Sequence, residues 1–181
     1  MAANRTFLIV GMIAALTALV CGFLVAHQQP ARQISAIKAH TANSVFTSTL
    51  TDDKGKTQAL SQWQGKTLVI NFWATWCPPC LEEMPALSRL QEKHAANGVQ
   101  FIGIALDSAE ALRDFAERHP ATYPFLLGGT TGADLARQLG NSRLALPYTA
   151  ILDRSGGFRS ATSGAISEQE LDSLLRLEGP H

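Results

Sequence analysis

Residues 68–80 read LVINFWATWCPPC, and this stretch decides how the rest of the chain is interpreted. Its first six residues are almost continuously apolar, which is typical of a strand covered on both faces. Cys77 and Cys80 follow, and the pattern over residues 81–97 predicts a helix directly after them. The N-terminus of a helix carries unpaired N–H groups and partial positive charge, which favour a thiolate. Because the thiolate is the form that attacks disulfides, the stretch predicts a reactive dithiol at a strand–helix junction.

The charge balance of the 181-residue chain argues against one large class of partners. The chain has 15 basic and 15 acidic residues and a formal net charge of zero. No basic run stands out, so a nucleic-acid partner is not expected.

Residues 7–26 carry no charge, and Thr17 is their only clearly polar residue. The length of this segment matches the roughly 20 residues that cross a bilayer core. Arg5 precedes it, so the short N-terminus should stay in the cytoplasm and the rest of the chain should lie in a periplasm-like space. We therefore expect a single-pass protein of the bacterial inner membrane, with its catalytic domain in the periplasm.

A cleaved signal peptide is the alternative interpretation of this segment, and cleavage would leave a secreted periplasmic protein. The apolar stretch is longer than the usual signal core of about 7–15 residues. Leu24 lies two residues before Ala26, which makes a poor small-x-small cleavage site. Both observations favour an uncleaved anchor.

The three cysteines of the chain divide between two segments. Cys21 falls in the anchor, where it is interpreted as a small apolar residue. Cys77 and Cys80 are then the only pair in the exported part, so the sequence carries no structural disulfide framework. In an oxidising compartment, a close pair without other thiols is more typical of a redox-active centre than of a structural crosslink.

Three segments follow from these patterns: an anchor over 1–26, a polar linker over 27–43 and a domain over 44–178. The periodicity within the domain predicts strands at 45–51, 57–60, 68–73, 99–106, 124–127, 148–152 and 158–162, and helices at 81–97, before Pro120, at 133–139 and at 167–177. Two pairs have the spacing of a helix N-cap and its partner, Asp107 with Glu110 and Ser167 with Glu170. Alternating strands and helices followed by a late hairpin predict an α/β fold with a central mixed β-sheet flanked by helices.

The order of the cysteines predicts a division of roles. Cys77 precedes the helix, so its sulfur can face the orphan N–H groups, and it is the predicted nucleophile. Cys80 lies inside the first turn and is the predicted resolving thiol. Pro78 and Pro79 stiffen the loop, and Pro79 has no N–H, so the N–H of Cys80 is the donor nearest to Cys77. Trp76 is expected to cover one side of the pair and to offer an apolar docking surface.

Three polar residues near the pair leave alternatives open. Glu82 is expected only to complement the helix dipole. Glu83 lies three residues after Cys80, where it either serves the dipole or takes a proton from Cys80 during exchange. Asn71 lies in a buried strand and is either a satisfied amide or a catalytic group. None of the five histidines pairs with the cysteines at a metal spacing, and neither a metal nor a cofactor is expected.

The string NFWATWCPPC at 71–80, continuing to EMP at 83–85, resembles the thioredoxin superfamily. Within it, the string is most similar to the membrane-anchored, extracytoplasmic TlpA/ResA-like thiol-disulfide oxidoreductases. The resemblance covers residues 44–177 and implies a thioredoxin-like fold. It also implies that Pro147 is a cis-proline beside the cysteines, and that the backbone at Leu146 and Pro147 pairs with a bound substrate segment.

The same resemblance implies roles for three other parts of the chain. Pro85 matches the kink proline of the active-site helix, and Glu83 matches the acidic residue that this branch carries near the resolving cysteine. Residues 125–140 resemble the extra strand–helix insertion of the branch. Cytosolic thioredoxins carry a buried aspartate where this chain has Asn71, so Glu83 is the better candidate for the proton acceptor.

The predicted function is the reduction of protein disulfides through Cys77 and Cys80. The resemblance implies a membrane thiol-transfer protein as electron donor, with apocytochrome c CxxCH motifs or the copper-site cysteines of respiratory oxidases as clients. A disulfide-donating oxidase is the nearest alternative. A thiolate module that binds copper and a binding domain with an inert pair are two others, and the absence of further Cys or His near the pair argues against the copper module.

Overall fold

The computed structural model describes residues 44–177, which form one seven-stranded sheet with helices packed on both faces. The strands are β1 (Thr49–Asp52), β2 (Thr57–Ala59), β3 (Thr67–Trp73), β4 (Val99–Ala105), β5 (Phe125–Leu127), β6 (Tyr148–Leu152) and β7 (Phe158–Ser163). The helices are α1 (Pro78–His94), α2 (Ala109–Arg118), α3 (Gly129–Gln138) and α4 (Glu168–Leu177), with 3-10 turns at Leu60–Trp63 and Ala95–Asn97. This architecture confirms the predicted α/β fold with a central mixed sheet.

The predicted anchor and linker lie outside the described residues, as does residue 178. Between residues 44 and 177, no helix combines the length and the apolar character that a membrane crossing requires. The anchor over residues 7–26 therefore stays a prediction from hydropathy.

The order of the strands in the sheet is β2-β1-β5-β4-β3-β6-β7. β3, β4 and β5 are parallel neighbours, and the chain crosses them in one direction through α1 and then α2. Because such crossovers are right-handed, α1 and α2 lie on the same face. The chain then returns through α3, which packs on the opposite face, to β6 on the other side of β3. β6 and β7 form the predicted hairpin, and β2 to β7 start and end within one residue of their predicted bounds.

All seven residues of β3 are buried, as its apolar run predicts. Alternate side chains of a strand point to opposite faces. Val69 and Trp73 pack in the core beneath α1, α2 and α4. Leu68 and Phe72 pack in the core beneath α3. Asn71 shares the face of Val69 and Trp73 and therefore points toward α1.

α1 begins at Pro78, three residues earlier than predicted, because proline suits the first helical position, where no N–H is needed. The buried residues on its predicted apolar side are Cys80, Met84, Leu87 and Leu90. Pro85 lies inside the helix and is exposed. α1 ends at His94, and one 3-10 turn leads to Gly98, whose φ of 78° lies in the left-handed region that terminates helices.

The predicted strand at 45–51 is partly wrong. Residues 44–47 are helical, and β1 starts only at Thr49. The Ser48 hydroxyl donates to the Ser44 carbonyl at 2.7 Å, and the Ser48 N–H donates to the Val45 carbonyl at 3.1 Å. Such local bonds favour a turn over an extended strand. Val45 is fully buried from this turn, so its apolar character reflects core packing.

α3 starts at Gly129, four residues before the predicted helix at 133–139. Glycines weaken a helix signal, and this start contains Gly128, Gly129 and Gly132. The packing requires two of them, because a Cβ on Gly128 would lie 2.9 Å from the Ala105 carbonyl oxygen and a Cβ on Gly132 would lie 2.9 Å from Cγ2 of Ile104. Close packing of α3 against β4 therefore fixes the start of this helix at a position that helix propensity does not predict.

α4 packs on α1 and is held there partly by charged side chains. Its N-cap is Ser167, as predicted, whose Oγ accepts a hydrogen bond from the N–H of Glu170 at 3.2 Å. Asp172 accepts a hydrogen bond from Lys93 at 2.9 Å, and its Oδ1 lies 2.7 Å from Nε2 of the buried His94. This docking places the loop before α4 beside α1, where its backbone reaches the candidate site.

Candidate active site

Cys77 and Cys80 form a disulfide at the N-terminus of α1. Their Cα atoms are 5.3 Å apart, and Cys77 is the residue directly before the helix. Cys80 is fully buried, whereas Cys77 keeps 5% of its surface exposed. The structure therefore shows the pair in its oxidised state, with the predicted nucleophile nearer the surface.

The two prolines decide which N–H groups remain at this helix end. Pro78 and Pro79 occupy the first helical positions and have no N–H, so Cys80 and Leu81 supply the first donors. Both N–H groups donate to the Cys77 carbonyl, at 3.0 and 3.2 Å. In the disulfide form, the predicted donor on Cys80 therefore bonds to the carbonyl of Cys77 and not to its sulfur.

An apolar surface and a cis-proline lie at the disulfide end of the sheet. Trp76 is the one large hydrophobic side chain in the described part of the chain that is exposed, at 67%. β6 starts where β3 ends, since Tyr148 pairs with Phe72. The Leu146–Pro147 bond just before β6 is cis, which confirms the isomer that the resemblance implied. The three predicted substrate-binding residues thus share one end of the sheet with the cysteines.

Glu83 lies three residues after Cys80 on α1, and its side chain is buried, with 5% of the residue exposed. Its Oε1 accepts a hydrogen bond from Asn71 Nδ2 at 2.7 Å, and its Oε2 accepts one from the Ile166 N–H at 3.2 Å. Burial raises the pKa of Glu83 above its ordinary value, although both hydrogen bonds act in the opposite direction. A carboxylate of this kind can take up a proton at a pH where an exposed glutamate would not.

Asn71 links Glu83 to the neighbouring strand. It is 1% exposed, and its Nδ2 donates both to Glu83 and, at 3.0 Å, to Oγ1 of Thr149. The predicted interpretation as a satisfied amide holds for Nδ2 but not for Oδ1, which has no partner among the described residues. Sequence analysis missed Thr149, the buried cross-strand partner of Asn71. A threonine between apolar residues of β6 is the signal that could have found it.

Tyr123 is a second residue that sequence analysis missed. It is buried just before β5, and its hydroxyl has no hydrogen-bond partner within residues 44–177. Burial raises the pKa of Tyr123, and the negative charge of Glu83 raises it further. The phenol therefore stays protonated near Glu83. The sequence around Tyr123 does not indicate that it lies near Glu83, because these two residues come together only in the folded chain.

The prediction that Asp107 caps α2 is wrong. The N-cap is Ser108, whose Oγ accepts a hydrogen bond from the N–H of Ala111 at 3.1 Å. Asp107 instead accepts from the N–H and the hydroxyl of Thr75, at 2.9 and 2.6 Å. Because β3 and β4 are parallel neighbours, the loops that follow them meet at one edge of the sheet. Asp107 thereby anchors the segment that leads into Cys77.

We expect Asp107→Ala to lower the free energy of unfolding by about 1–2 kcal/mol, because the hydrogen bonds to this partly buried carboxylate are lost. Burial acts to raise the pKa of Asp107, but hydrogen bonds from Thr75 and Ser108 outweigh it and hold the pKa below its ordinary value. The stabilisation is therefore present above the pKa of an unfolded aspartate and is lost as the pH falls through the lower folded value.

Urea unfolding of the oxidised protein at neutral and acidic pH measures this effect. Asp114→Ala, at an exposed position of α2, is the matched control and is expected to change the stability by less than about 0.5 kcal/mol. Equal losses in the two variants would show that the contact with Thr75 contributes nothing specific.

Metal ligands are not clustered in the part of the chain that the structure describes. No group of three or more His, Cys, Asp or Glu side chains there is placed to hold a metal ion. The sulfur atoms of Cys77 and Cys80 are bonded to each other. The chemical groups that the fold does bring together are a disulfide, a buried carboxyl and a buried amide.

A disulfide at the junction of a buried strand and a helix of a mixed α/β sheet defines the class of this protein: it is a thioredoxin-like thiol-disulfide oxidoreductase. Comparison with known proteins gives the family. The Redoxin family matches residues 36–175, and the chain belongs to that family. Its relatives place it with the TlpA/ResA-like proteins of the thioredoxin superfamily.

Three similar proteins illustrate this placement. The chain is 30% identical to the thiol-disulfide oxidoreductase ResA of Geobacillus kaustophilus (strain HTA426), over 70% of this chain and 71% of that protein. It is 32% identical to the thioredoxin-like protein YneN of Bacillus subtilis (strain 168), over 68% of this chain and 72% of YneN. The solved structure of a thioredoxin-related protein from Neisseria meningitidis serogroup B is 29% identical, with a TM-score of 0.64 over 71% of this chain and 97% of that chain.

Proposed function

We propose that this protein is anchored in the inner membrane and reduces protein disulfides in the periplasm through Cys77 and Cys80. The observation that carries the proposal is the buried Glu83 carboxyl, three residues after Cys80, because resolution of a mixed disulfide requires a proton acceptor there. A purely structural disulfide has no use for a buried carboxyl, whose ionisation costs stability.

In the first step, the thiolate of reduced Cys77 attacks one sulfur of a client disulfide. A bond forms between Cys77 and that sulfur, and the disulfide of the client breaks. The second client sulfur leaves as a thiolate and takes a proton from solvent. The position of Cys77 before α1 supports this role, since the partial positive charge of the helix end stabilises the attacking thiolate.

In the second step, Glu83 takes the proton from Cys80. The Cys80 thiolate attacks the sulfur of Cys77, the bond between Cys77 and the client breaks, and the client sulfur leaves as a thiolate that is then protonated. The client has gained two electrons and two protons, and the protein is left with the disulfide that the structure contains. A thiol donor must then return two electrons to the pair.

The partners of this cycle are part of the proposal. A membrane thiol-transfer protein is the proposed donor, and apocytochrome c or the copper-site cysteines of respiratory oxidases are the proposed clients. The uncharged segment at residues 7–26 supports a tethered protein that meets both on the outer side of the membrane. The disulfide-exchange activity in the name of the ResA relative supports protein disulfides as the substrate class.

The reduction potential of the Cys77/Cys80 pair tests the direction of exchange. We expect a value closer to the about −270 mV of thioredoxin than to the about −120 mV of the strong oxidant DsbA. Equilibration of the full-length protein with glutathione and dithiothreitol buffers, followed by alkylation of free thiols, measures it. A value near −120 mV would show that the pair donates its disulfide and that the protein is an oxidase.

Trp76 is proposed to bind clients through its exposed ring, together with Leu146 and Pro147. We expect Trp76→Ala to lower kcat/KM for insulin disulfides about 10-fold, which corresponds to about 1.4 kcal/mol of lost binding. Trp76→Phe keeps an aromatic ring and is expected to retain most of the activity. The loss should be smaller with cystamine, whose disulfide has no polypeptide around it. An equal loss with both substrates would assign Trp76 to the chemistry of the cysteines and not to client binding.

A further inference from the structure

The side-chain amide of Asn71 has two hydrogen-bond partners on its nitrogen and none among the described residues on its oxygen. Nδ2 donates to Oε1 of Glu83 at 2.7 Å and to Oγ1 of Thr149 at 3.0 Å. Oδ1 is buried and has no partner among the described residues. An unpaired buried acceptor is costly, and it lies on the residue that contacts the proposed proton acceptor.

The present arrangement favours the ionised form of Glu83. Each carboxylate oxygen faces an N–H donor, Oε1 that of Asn71 and Oε2 that of Ile166. Each carboxylate oxygen has a second lone pair that can take a proton, but a protonated oxygen is a poorer acceptor for the N–H that faces it. With the amide fixed, protonation of Glu83 would therefore weaken one of these two hydrogen bonds.

We propose that Asn71 is a positioning residue whose side-chain amide rotates when Glu83 is protonated, so that Oδ1 replaces Nδ2 opposite the carboxyl group. The inference rests on the proposed role of Glu83 as the proton acceptor for Cys80. It assigns to Asn71 the task of stabilising both protonation states of that carboxyl in turn.

Rotation of the amide by a half turn exchanges the positions of its two polar atoms. Oδ1 then accepts from the new O–H of Glu83 and from the hydroxyl of Thr149, because a threonine hydroxyl donates as well as it accepts. The bond from Ile166 to Oε2 is retained. One amide atom is unpaired in each arrangement, Oδ1 in the first and Nδ2 in the second. The two states therefore have similar hydrogen-bond counts, which is what a group that accepts and returns a proton requires.

In the oxidised protein, the groups around Asn71 and Glu83 do not change their charge when Glu83 titrates. Tyr123 is the titratable group that faces Glu83 from the segment before β5, and its raised pKa keeps it protonated. Cys77, directly before α1, and Cys80, in its first turn, are joined in a disulfide and do not titrate. Asn71 on β3, Thr149 on β6 and the Ile166 backbone carry no charge. A titration of the disulfide form near Glu83 therefore reports the carboxyl itself.

Nuclear magnetic resonance of the oxidised full-length protein, labelled with ¹³C and ¹⁵N, tests the rotation. The side-chain ¹⁵N and ¹H shifts of Asn71 are expected to change with the same pH midpoint as the carboxyl ¹³C shift of Glu83. Glu83→Gln should abolish the change at Asn71. The internal control is Asn141, a buried amide whose Oδ1 and Nδ2 are both bonded to the Ala145 backbone at 2.9 Å, and its shifts should stay constant.

Two substitutions separate the partners of the amide. Asn71→Leu removes a partner that serves both protonation states of Glu83, so the carboxyl midpoint should move by less than about one pH unit. Loss of an amide that only donates to the ionised form would instead raise the midpoint by about one to two pH units. Thr149→Val also removes a partner that serves both states, so the midpoint should stay near that of the unsubstituted protein. If Asn71→Leu fails to fold, the titration of the unsubstituted protein still decides the question.

Constant Asn71 shifts across the range in which Glu83 titrates would overturn the inference. A rise of about one to two pH units in Asn71→Leu would also overturn it, because that shift requires an amide that stabilises only the ionised carboxyl. These outcomes differ from a failure of the proposed function, which would appear as full exchange activity in Glu83→Gln while Asn71 still follows the carboxyl in the unsubstituted protein.

Discussion

Cys80→Ser is expected to convert the protein into a covalent trap for its clients. Cys77 can still attack a client disulfide, but no second thiol is present to resolve the mixed disulfide. Turnover with insulin should fall to that of the buffer alone, and disulfide-linked complexes should accumulate in the cell envelope. Non-reducing gels followed by mass spectrometry measure this outcome and identify the clients.

Cys77→Ser is the matched control for the trap. It should lose turnover equally but hold no client, because the remaining Cys80 is fully buried. Complexes held equally by both variants would show that Cys80 also attacks clients, and complexes held by Cys77→Ser alone would reverse the assigned roles. Recovery of no covalent partner with Cys80→Ser would count against an exchange function.

Glu83→Gln is expected to slow resolution of the mixed disulfide about 10²-fold at neutral pH, the lower end of what general acid–base catalysis contributes. Attack by Cys77 should be affected much less, so mixed disulfides should persist longer. Stopped-flow reactions with a fluorescent peptide disulfide separate the two steps. Glu82→Gln is the matched control, since Glu82 is the adjacent exposed glutamate. Equal slowing in both variants would show that Glu83 acts only through the negative charge of the first helical turn and not as a proton acceptor.

The same carboxyl predicts how stability depends on pH in the disulfide form. Burial raises the pKa of Glu83, so the folded protein binds this proton more tightly than the unfolded chain does. Its contribution to stability is present below the pKa of an unfolded glutamate and is lost as the pH rises through the folded value. Thermal unfolding of the oxidised protein should show this decline, and Glu83→Gln should lack it. An identical pH profile in the variant would contradict a raised pKa.

The sheet could be predicted almost completely because its strands are punctuated by turn residues and carry strong periodic patterns. The bounds of β6 agree with the prediction, and β3 has the continuous burial that its apolar run indicated. The helical turn at 44–47 and the start of α3 were missed, because side-chain–backbone bonds at Ser48 and close packing at Gly132 outweigh local propensity there.

The candidate site was predictable where its residues are close in sequence. Cys77, Cys80 and Glu83 belong to one helical segment, so their proximity follows from helix geometry. Asp107 was assigned to the wrong partner because either Asp107 or Ser108 can cap α2 locally, and only the pairing of β3 with β4 brings Thr75 to Asp107.

The sequence by itself determined the class of this protein, since a CxxC pair between a buried strand and a helix needs only local geometry to form a redox centre. Tertiary structure alone decided the environment of the proposed proton acceptor. Burial of Glu83 depends on the packing of α1 against the sheet, and its two hydrogen bonds come from β3 and from the loop before α4. A pKa is set by desolvation and by neighbouring donors, and in this fold both come from segments far apart in the chain.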